Sequence, residues 1–211
     1  MKKLFIILIL ILFSIVGCKN KDNSEITKEL NESNSEDNKV SIPLNNSSDT
    51  EFDLYNGKSL KIAVIGELPK VREEQVEFKE ISFDELSKQK VNSYDAVFIM
   101  KEKFSEASES QYATIYLKST TPYFFPATKS LIPFTSVEDI EYSNSWDWEP
   151  GLPYIHGVYK PQNSERAERL GFGLYNEEKT EEHIKATYSL VFKKIAELIN
   201  NVIALTGAFL E

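Results

Sequence analysis

The sequence predicts an α/β protein, a three-layer sandwich with a mostly parallel central sheet and a long C-terminal helix. Short apolar runs typical of buried strands recur along the chain, and segments with the apolar spacing of helices lie between them. A continuous apolar stripe follows Thr180. These observations place residues 58–211 in a single globular domain, and that length is enough to bury a stable core.

The first part of this domain alternates between strand and helix patterns. Leu60–Gly66 and Tyr94–Met100 are short apolar runs that indicate buried strands. Residues 76–81 alternate between apolar and charged types, which favours a less buried strand. Ser82 and Glu85 have the spacing of a capping box, which predicts a helix that ends near residue 91.

The second part continues this alternation. The segment Ser108–Gln111 offers another capping box, for a helix with Tyr112, Ile115 and Tyr116 on one face. The other expected elements are a strand at 123–125, a short helix at 136–142, and strands at 154–160 and 170–175.

The last predicted element is the longest helix. Thr180 is a suitable N-cap, and two glutamates in the first turn favour the helix dipole. Apolar residues then recur at steps of three and four: Ile184, Tyr188, Val191, Ile195, Leu198, Val202 and Leu205. Gly207 is a natural stop, and we expect 202–210 either to join the core or to meet a partner or a second copy.

The direction of the second strand stays open at this point. Only residues 67–75, which include Pro69, separate it from the first strand, whereas a parallel crossover normally needs about a dozen residues or more. Either this connection is a tight loop, or the second strand is antiparallel and lies at an edge.

The N-terminus has the pattern of an export signal. Lys2 and Lys3 precede the apolar segment 4–16, which as a helix spans about 20 Å, less than the roughly 30 Å of a hydrocarbon core. The segment ends in the run Ile15-Val16-Gly17-Cys18, which resembles the lipobox of bacterial lipoproteins. The resemblance implies a signal peptide at 1–17 and a lipid on Cys18. This lipid would hold the protein on the outer face of the cytoplasmic membrane.

A polar segment separates Cys18 from the predicted domain. Residues 18–57 are rich in Asn, Ser, Asp and Glu, and their first aromatic residue is Phe52. Such a composition cannot bury enough apolar surface to offset the entropy of ordering. We therefore expect a disordered tether with a reach of roughly 35 Å.

Charge and composition exclude several functions. The formal net charge of −9 argues against nucleic acid as a partner. Cys18 is the only cysteine, so a disulfide or a cysteine nucleophile in the domain is excluded. The sequence has no nucleophile elbow, P-loop, dinucleotide-binding glycine motif or zinc-protease motif, and we expect no cofactor and no resident metal. Its only imidazoles are His156 and His183.

Charged residues at the predicted strand ends form one candidate site. Ligands of open α/β sheets collect beyond the carboxyl ends of the strands, where Glu67, Lys101 and Glu102 are expected. With His156 they would make a cleft for acid/base chemistry or for a hard cation such as Ca²⁺. The simpler interpretation is an ordinary charged loop rim. Asp95 lies at the opposite end of its strand, so we expect it to serve a turn or cap.

The two tryptophans form a second candidate site. Trp146 and Trp148 lie beside carboxylates, with Tyr142 and Tyr154 close by in the sequence. The indoles would stack on a sugar or a peptide of the cell wall, or they would pin a long loop to the core.

The chain as a whole resembles the small uncharacterised lipoproteins of low-GC Gram-positive bacteria. The lipobox, the polar tether and the stretch Tyr94–Ser110 carry this resemblance. It implies location and architecture but no chemistry.

Two functional hypotheses follow from the sequence. The first is a non-enzymatic binding or interaction domain, attached to the membrane through Cys18, with an envelope protein or a cell-wall ligand as its partner. The second is a cation-assisted hydrolase or transferase that acts on an envelope substrate through the carboxylates at the strand ends.

Overall fold

A computed structural model describes residues 52–88 and 90–207 of the chain. The strands are β1 (Leu60–Ile65), β2 (Val76–Glu80), β3 (Ala96–Ile99), β4 (Tyr123–Pro126), β5 (Ile155–Tyr159) and β6 (Glu168–Phe172). The helices are α1 (Phe83–Ser87), α2 (Phe104–Ala107), α3 (Ser110–Lys118), α4 (Ile132–Thr135) and α5 (Glu181–Gly207). The expected α/β class and the long C-terminal helix are thus confirmed.

The strands form one mixed sheet in the order β2-β1-β3-β4-β5-β6. The first four are parallel, but β5 is antiparallel to β4, and β6 is antiparallel to β5. The expectation of a mostly parallel sheet is therefore not confirmed.

The reason for the mixed sheet lies in the segment 127–154, between β4 and β5. Ala127 N–H donates to Tyr154 O at 2.7 Å, and Trp148 N–H donates to Ala127 O at 3.1 Å. The segment thus leaves and rejoins the sheet at the same place, the carboxyl end of β4. Because the chain enters β5 from the carboxyl end of β4, β5 must be antiparallel to it.

The connection between β1 and β2 is a tight loop. Leu60 pairs with Val76 in parallel register, so β2 is a parallel edge strand. The side chain of Val71, in this loop, packs on the face of the sheet that α5 covers, whereas α1, which joins β2 to β3, packs on the other face. The β1–β2 and β2–β3 connections run in opposite directions along the sheet and cross opposite faces of it. Both crossovers therefore have the same hand.

Two apolar cores lie on opposite faces of the sheet, as the alternation of side chains along strands requires. Ile65, Ile99 and Phe125 face helices α1 to α4. Val64 and Phe98 belong to the core against α5. The helices and the sheet therefore make three layers.

Local helix signals were partly correct. The capping box at Ser82 is present, with Glu85 N–H donating to the Ser82 hydroxyl at 3.3 Å, but α1 already ends at Ser87. The expected box at Ser108 is wrong, because this buried hydroxyl donates to Ser105 O and accepts from Tyr142 N–H. The short helix expected at 136–142 is also wrong, since α4 ends at residue 135.

The domain begins earlier than residue 58. Tyr55, placed in the tether by the sequence, is 3% exposed and belongs to the core under α5. Composition suggested a tether here because the few apolar residues, Phe52, Leu54 and Tyr55, stand at the end of a long polar segment and are too few to show a periodicity. Cys18, the signal segment and the tether as far as residue 51 lie outside the described residues, as do the side chains of 202–210. Within the described part, no helix is long and apolar enough to cross a membrane.

Candidate functional site

A cavity of about 400 Å³ opens at the carboxyl ends of β1 and β3. We call it the carboxyl-end cleft. The chain leaves β1 towards β2 and leaves β3 towards β4, so the cleft lies where the connections diverge, which is the usual ligand position in open α/β sheets. Its walls are Glu67, Leu68, Pro69, Lys70, Met100, Glu102, Glu181, Ile184 and Tyr188.

Glu67 and Glu102 meet at this cleft, as the sequence predicted. The Glu102 carboxylate accepts a hydrogen bond from the backbone N–H of Glu67 and so ties the loop after β3 to the loop after β1. Gly66 has a φ of +115°, and a Cβ there would collide with the Glu102 carboxylate and with Met100. Glycine thus allows the close approach of the two loops.

Lys101 lies outside the cleft. Its ammonium contacts the Asp147 carboxylate at 2.6 Å, and Asp147 also accepts from the Tyr142 hydroxyl at 3.1 Å. Burial raises the pKa of Tyr142 to about 12, and the bond to Asp147 acts in the same direction. Lys101 therefore fastens the 127–154 segment to the end of β3.

His156 is also separate from the cleft. It lies on β5 between Ile155, which packs under α5, and Gly157, so its ring is directed to the face covered by α1 to α4. Its Nε2 is buried without a hydrogen-bond partner among the described residues. Burial lowers the pKa of His156, and Arg169 lowers it further, against a backbone hydrogen bond with Lys129 that raises it.

Tyr188 is a cleft residue that the sequence did not distinguish from the core. It is 3% exposed, and its ring packs 5.7 Å from that of Phe98 and 6.2 Å from that of Phe192. Burial raises the pKa of its hydroxyl, as do Tyr154 and Glu102. The hydroxyl has no hydrogen-bond partner in the described part of the chain. In the sequence, Tyr188 occupies an ordinary position of the apolar stripe, which is why it was assigned to the core.

The two tryptophans make the contacts of a pinned loop. Trp148 Nε1 donates to Leu152 O at 2.8 Å, and its ring meets Tyr154 edge to face at 5.6 Å. Trp146 contributes its carbonyl, which accepts from Lys129 N–H at 2.9 Å and from the Thr128 hydroxyl at 3.1 Å. These contacts favour the loop-pinning alternative over a stacking platform.

Asp95 has the structural role expected from its position. Its carboxylate accepts from Lys61 N–H at 2.8 Å, and its own N–H donates to Lys61 O at 2.8 Å, which joins the starts of β1 and β3.

A buried polar network lies beside the cleft, and no pattern in the sequence indicated it. We call Tyr55, Arg72, Glu73 and Ser189 the junction network. The Glu73 carboxylate accepts from Ser189 Oγ, from Tyr55 N–H at 3.3 Å and from Arg72 N–H at 3.1 Å. The Arg72 guanidinium donates to Ser189 Oγ at 2.9 Å and to the carbonyl of Phe52 at 3.3 Å. The network fixes the start of the domain to α5.

The described residues contain no group of three or more His, Cys, Asp or Glu side chains placed to hold a metal ion. In comparisons with known proteins, no family model matches the chain, and neither a curated protein nor a solved structure shows significant similarity to it.

Proposed function

We propose that this protein is an extracytoplasmic lipoprotein, held on the outer face of the cytoplasmic membrane through a lipid on Cys18. Its α/β domain is a non-enzymatic binding domain of the cell envelope, and the carboxyl-end cleft is its binding site. The partner is an envelope protein or a fragment of the cell wall.

The proposed location on the membrane rests on one observation. Cys18 directly follows a basic N-terminus, a short apolar segment and a small residue, and it is the only cysteine of the chain. One acyl chain gives marginal, reversible membrane binding, whereas two give stable retention. Lipoprotein-type modification supplies at least two.

The geometry of the cleft supports binding. Glu102 is fixed by the N–H of Glu67, so the site has a preformed wall.

His183 stands apart from the cleft, with its Nδ1 3.0 Å from Glu178 O and its ring against those of Phe52 and Tyr175. The hydrolase or transferase predicted as an alternative stays a prediction, and no contact among the described residues favours it over binding.

Metabolic labelling with palmitate tests the location. We expect the wild-type protein to carry label and to sediment with membranes. A Cys18→Ser variant should carry no label and should keep its signal segment, because the only thiol has been replaced. A matched Ser14→Ala variant, altered inside the apolar segment, should label as the wild type does.

Two results would contradict the lipoprotein proposal. One is label that persists in Cys18→Ser. The other is a wild-type chain with a free thiol and an intact N-terminus, recovered from the cytosol and identified by mass spectrometry.

A further inference from the structure

We infer that the carboxyl-end cleft binds an organic cation, an ammonium or guanidinium group on a short apolar arm, with Glu67, Glu102 and the Tyr188 hydroxyl holding the charged end. The inference rests on the proposed binding function and names the class of ligand that the same site takes.

The first argument is the charge left over in the cleft. Glu67 and Glu102 form no ion pair with any described residue. Two neighbouring lysines are engaged in ion pairs: Lys101 pairs with Asp147, and Lys185 pairs with Glu181 at 2.7 Å. Lys70 also lines the cleft and forms no ion pair with a described residue, so Glu67 and Glu102 place two negative charges there against one positive charge. A bound cation would balance the remaining negative charge.

The second argument is the Tyr188 hydroxyl, which is independent of the carboxylates. Tyr188 is 3% exposed and its ring packs against Phe98 in the core, yet the residue also lines the cleft. Its hydroxyl forms no hydrogen bond with a described residue and keeps some exposure, so it is open to the cleft. An ammonium or guanidinium N–H would supply the donor that its oxygen lacks.

The third argument is the apolar part of the cleft wall. Met100, Ile184 and the Tyr188 ring contribute carbon surface beside the charged groups. A calcium ion takes six to eight oxygen ligands, and the described residues include no group of three or more acidic, His or Cys side chains placed to hold a metal ion. An amine on a short alkyl arm would instead bury its carbons against Met100 and Ile184 and place its nitrogen between the carboxylates.

NMR titration of the full chain, purified in a neutral detergent, tests the inference. The probes are butylamine, butanol, butyrate and methylamine, which separate charge from apolar contact, and calcium chloride. We expect butylamine to shift the backbone amide signals of Glu67 and Glu102. We expect it to bind about four- to 25-fold more tightly than butanol or butyrate, because each of the two carboxylates contributes about two- to fivefold. Methylamine should bind more weakly, since it lacks the arm.

Variants then locate the site. Glu67→Gln and Glu102→Gln should each weaken butylamine binding by about two- to fivefold. The amide at 102 still accepts the N–H of residue 67, so the loop is retained. Tyr188→Phe should weaken binding by about fivefold, which is the loss of one hydrogen bond of about 1 kcal/mol. Glu106→Gln is the matched control, an exposed acid of the same sheet edge outside the cleft wall, and it should bind as the wild type does.

Three outcomes would overturn the inference: no binding of butylamine, equal binding of butanol or butyrate, or an equal loss in Glu106→Gln. Displacement of butylamine by calcium at equal concentration would also overturn it and would favour a metal site. These outcomes leave the palmitate result untouched, so the lipoprotein proposal stands or fails separately. The carboxylate variants decide the question even if Tyr188→Phe fails to fold.

Discussion

The carboxyl-end cleft and the junction network are built on the same two elements, but the carboxylates of the two regions have opposite environments. The loop 66–75 contributes Glu67 to the cleft and Glu73 to the network, and α5 contributes Tyr188 and Ser189. Glu73 is 4% exposed and accepts three hydrogen bonds, whereas Glu67 is exposed and has no ion-pair partner among the described residues.

This difference separates a structural role from a candidate functional one. A buried carboxylate is tolerated only when its oxygens are hydrogen-bonded, so the junction network stabilises the fold. The cleft contains the Glu67 and Glu102 carboxylates, which have no ion-pair partner among the described residues, and the Tyr188 hydroxyl, which has no hydrogen-bond partner among them. We therefore expect the stability of the protein to depend on the network and ligand binding to depend on the cleft.

The largest expected effect is in the junction network. Glu73→Ala should lower the free energy of unfolding by about 3 kcal/mol, because the Ser189 hydroxyl, Tyr55 N–H and Arg72 N–H each lose a buried acceptor. Urea denaturation followed by circular dichroism measures the loss. Glu74→Ala, an exposed neighbour, is the control and should change stability by less than about 0.5 kcal/mol. An equal loss of unfolding free energy in both variants would contradict the stabilising role of the junction network.

His156 is an intermediate case, because the residue is half-buried and its Nε2 is buried without a hydrogen-bond partner among the described residues. Burial lowers its pKa in the folded protein below the 6.5 of the free side chain. As the pH falls below about 6.5, the unfolded chain takes up a proton at His156 before the folded protein does. The free energy of unfolding should therefore fall with the pH until the folded protein is protonated as well.

Urea denaturation from pH 7.5 to pH 5.5 measures this decline. His156→Gln should show a shallower decline than the wild type, since the variant has no imidazole at this site. Identical slopes in the two proteins would show that burial of His156 does not shape the pH dependence.

The smallest expected effect on stability is in the cleft. Tyr188→Phe removes a hydroxyl without a described partner and keeps the ring in the core, so stability should stay within about 0.5 kcal/mol of the wild type or rise slightly. Tyr55→Phe is the matched comparison, because the Tyr55 hydroxyl donates to Lys58 O at 2.7 Å, and its loss should cost about 1 kcal/mol. A larger loss in Tyr188→Phe than in Tyr55→Phe would mean that the cleft hydroxyl stabilises the fold.

Local patterns predicted the elements well where the signal lies within a few residues. The apolar run at Leu60–Gly66 corresponds to β1, the run at 94–100 contains β3, and α5 begins one residue after its expected cap, Thr180. The box at Ser108 failed because a tertiary contact with Tyr142 uses the hydroxyl that the pattern assigned to a cap.

The candidate site was only partly predictable. Glu67 and Glu102 follow two strands whose ends meet in a parallel sheet, so their proximity follows from the topology that the sequence suggests. Lys101 and His156 were assigned to the same cleft, but the first pairs with Asp147 and the second faces the opposite side of the sheet. Position along a strand does not reveal which partner a charged side chain finds.

By itself, the sequence determined the alternation of strands and helices, the apolar stripe of α5 and the lipobox-like segment at Cys18, because each of these is written in the spacing of neighbouring residues. The tertiary structure alone decided the direction of β5, the start of the domain at Tyr55 and the isolation of the Tyr188 hydroxyl. Those three depend on which distant segments come together, and hydrogen bonds and burial between distant residues leave no periodic trace along the chain.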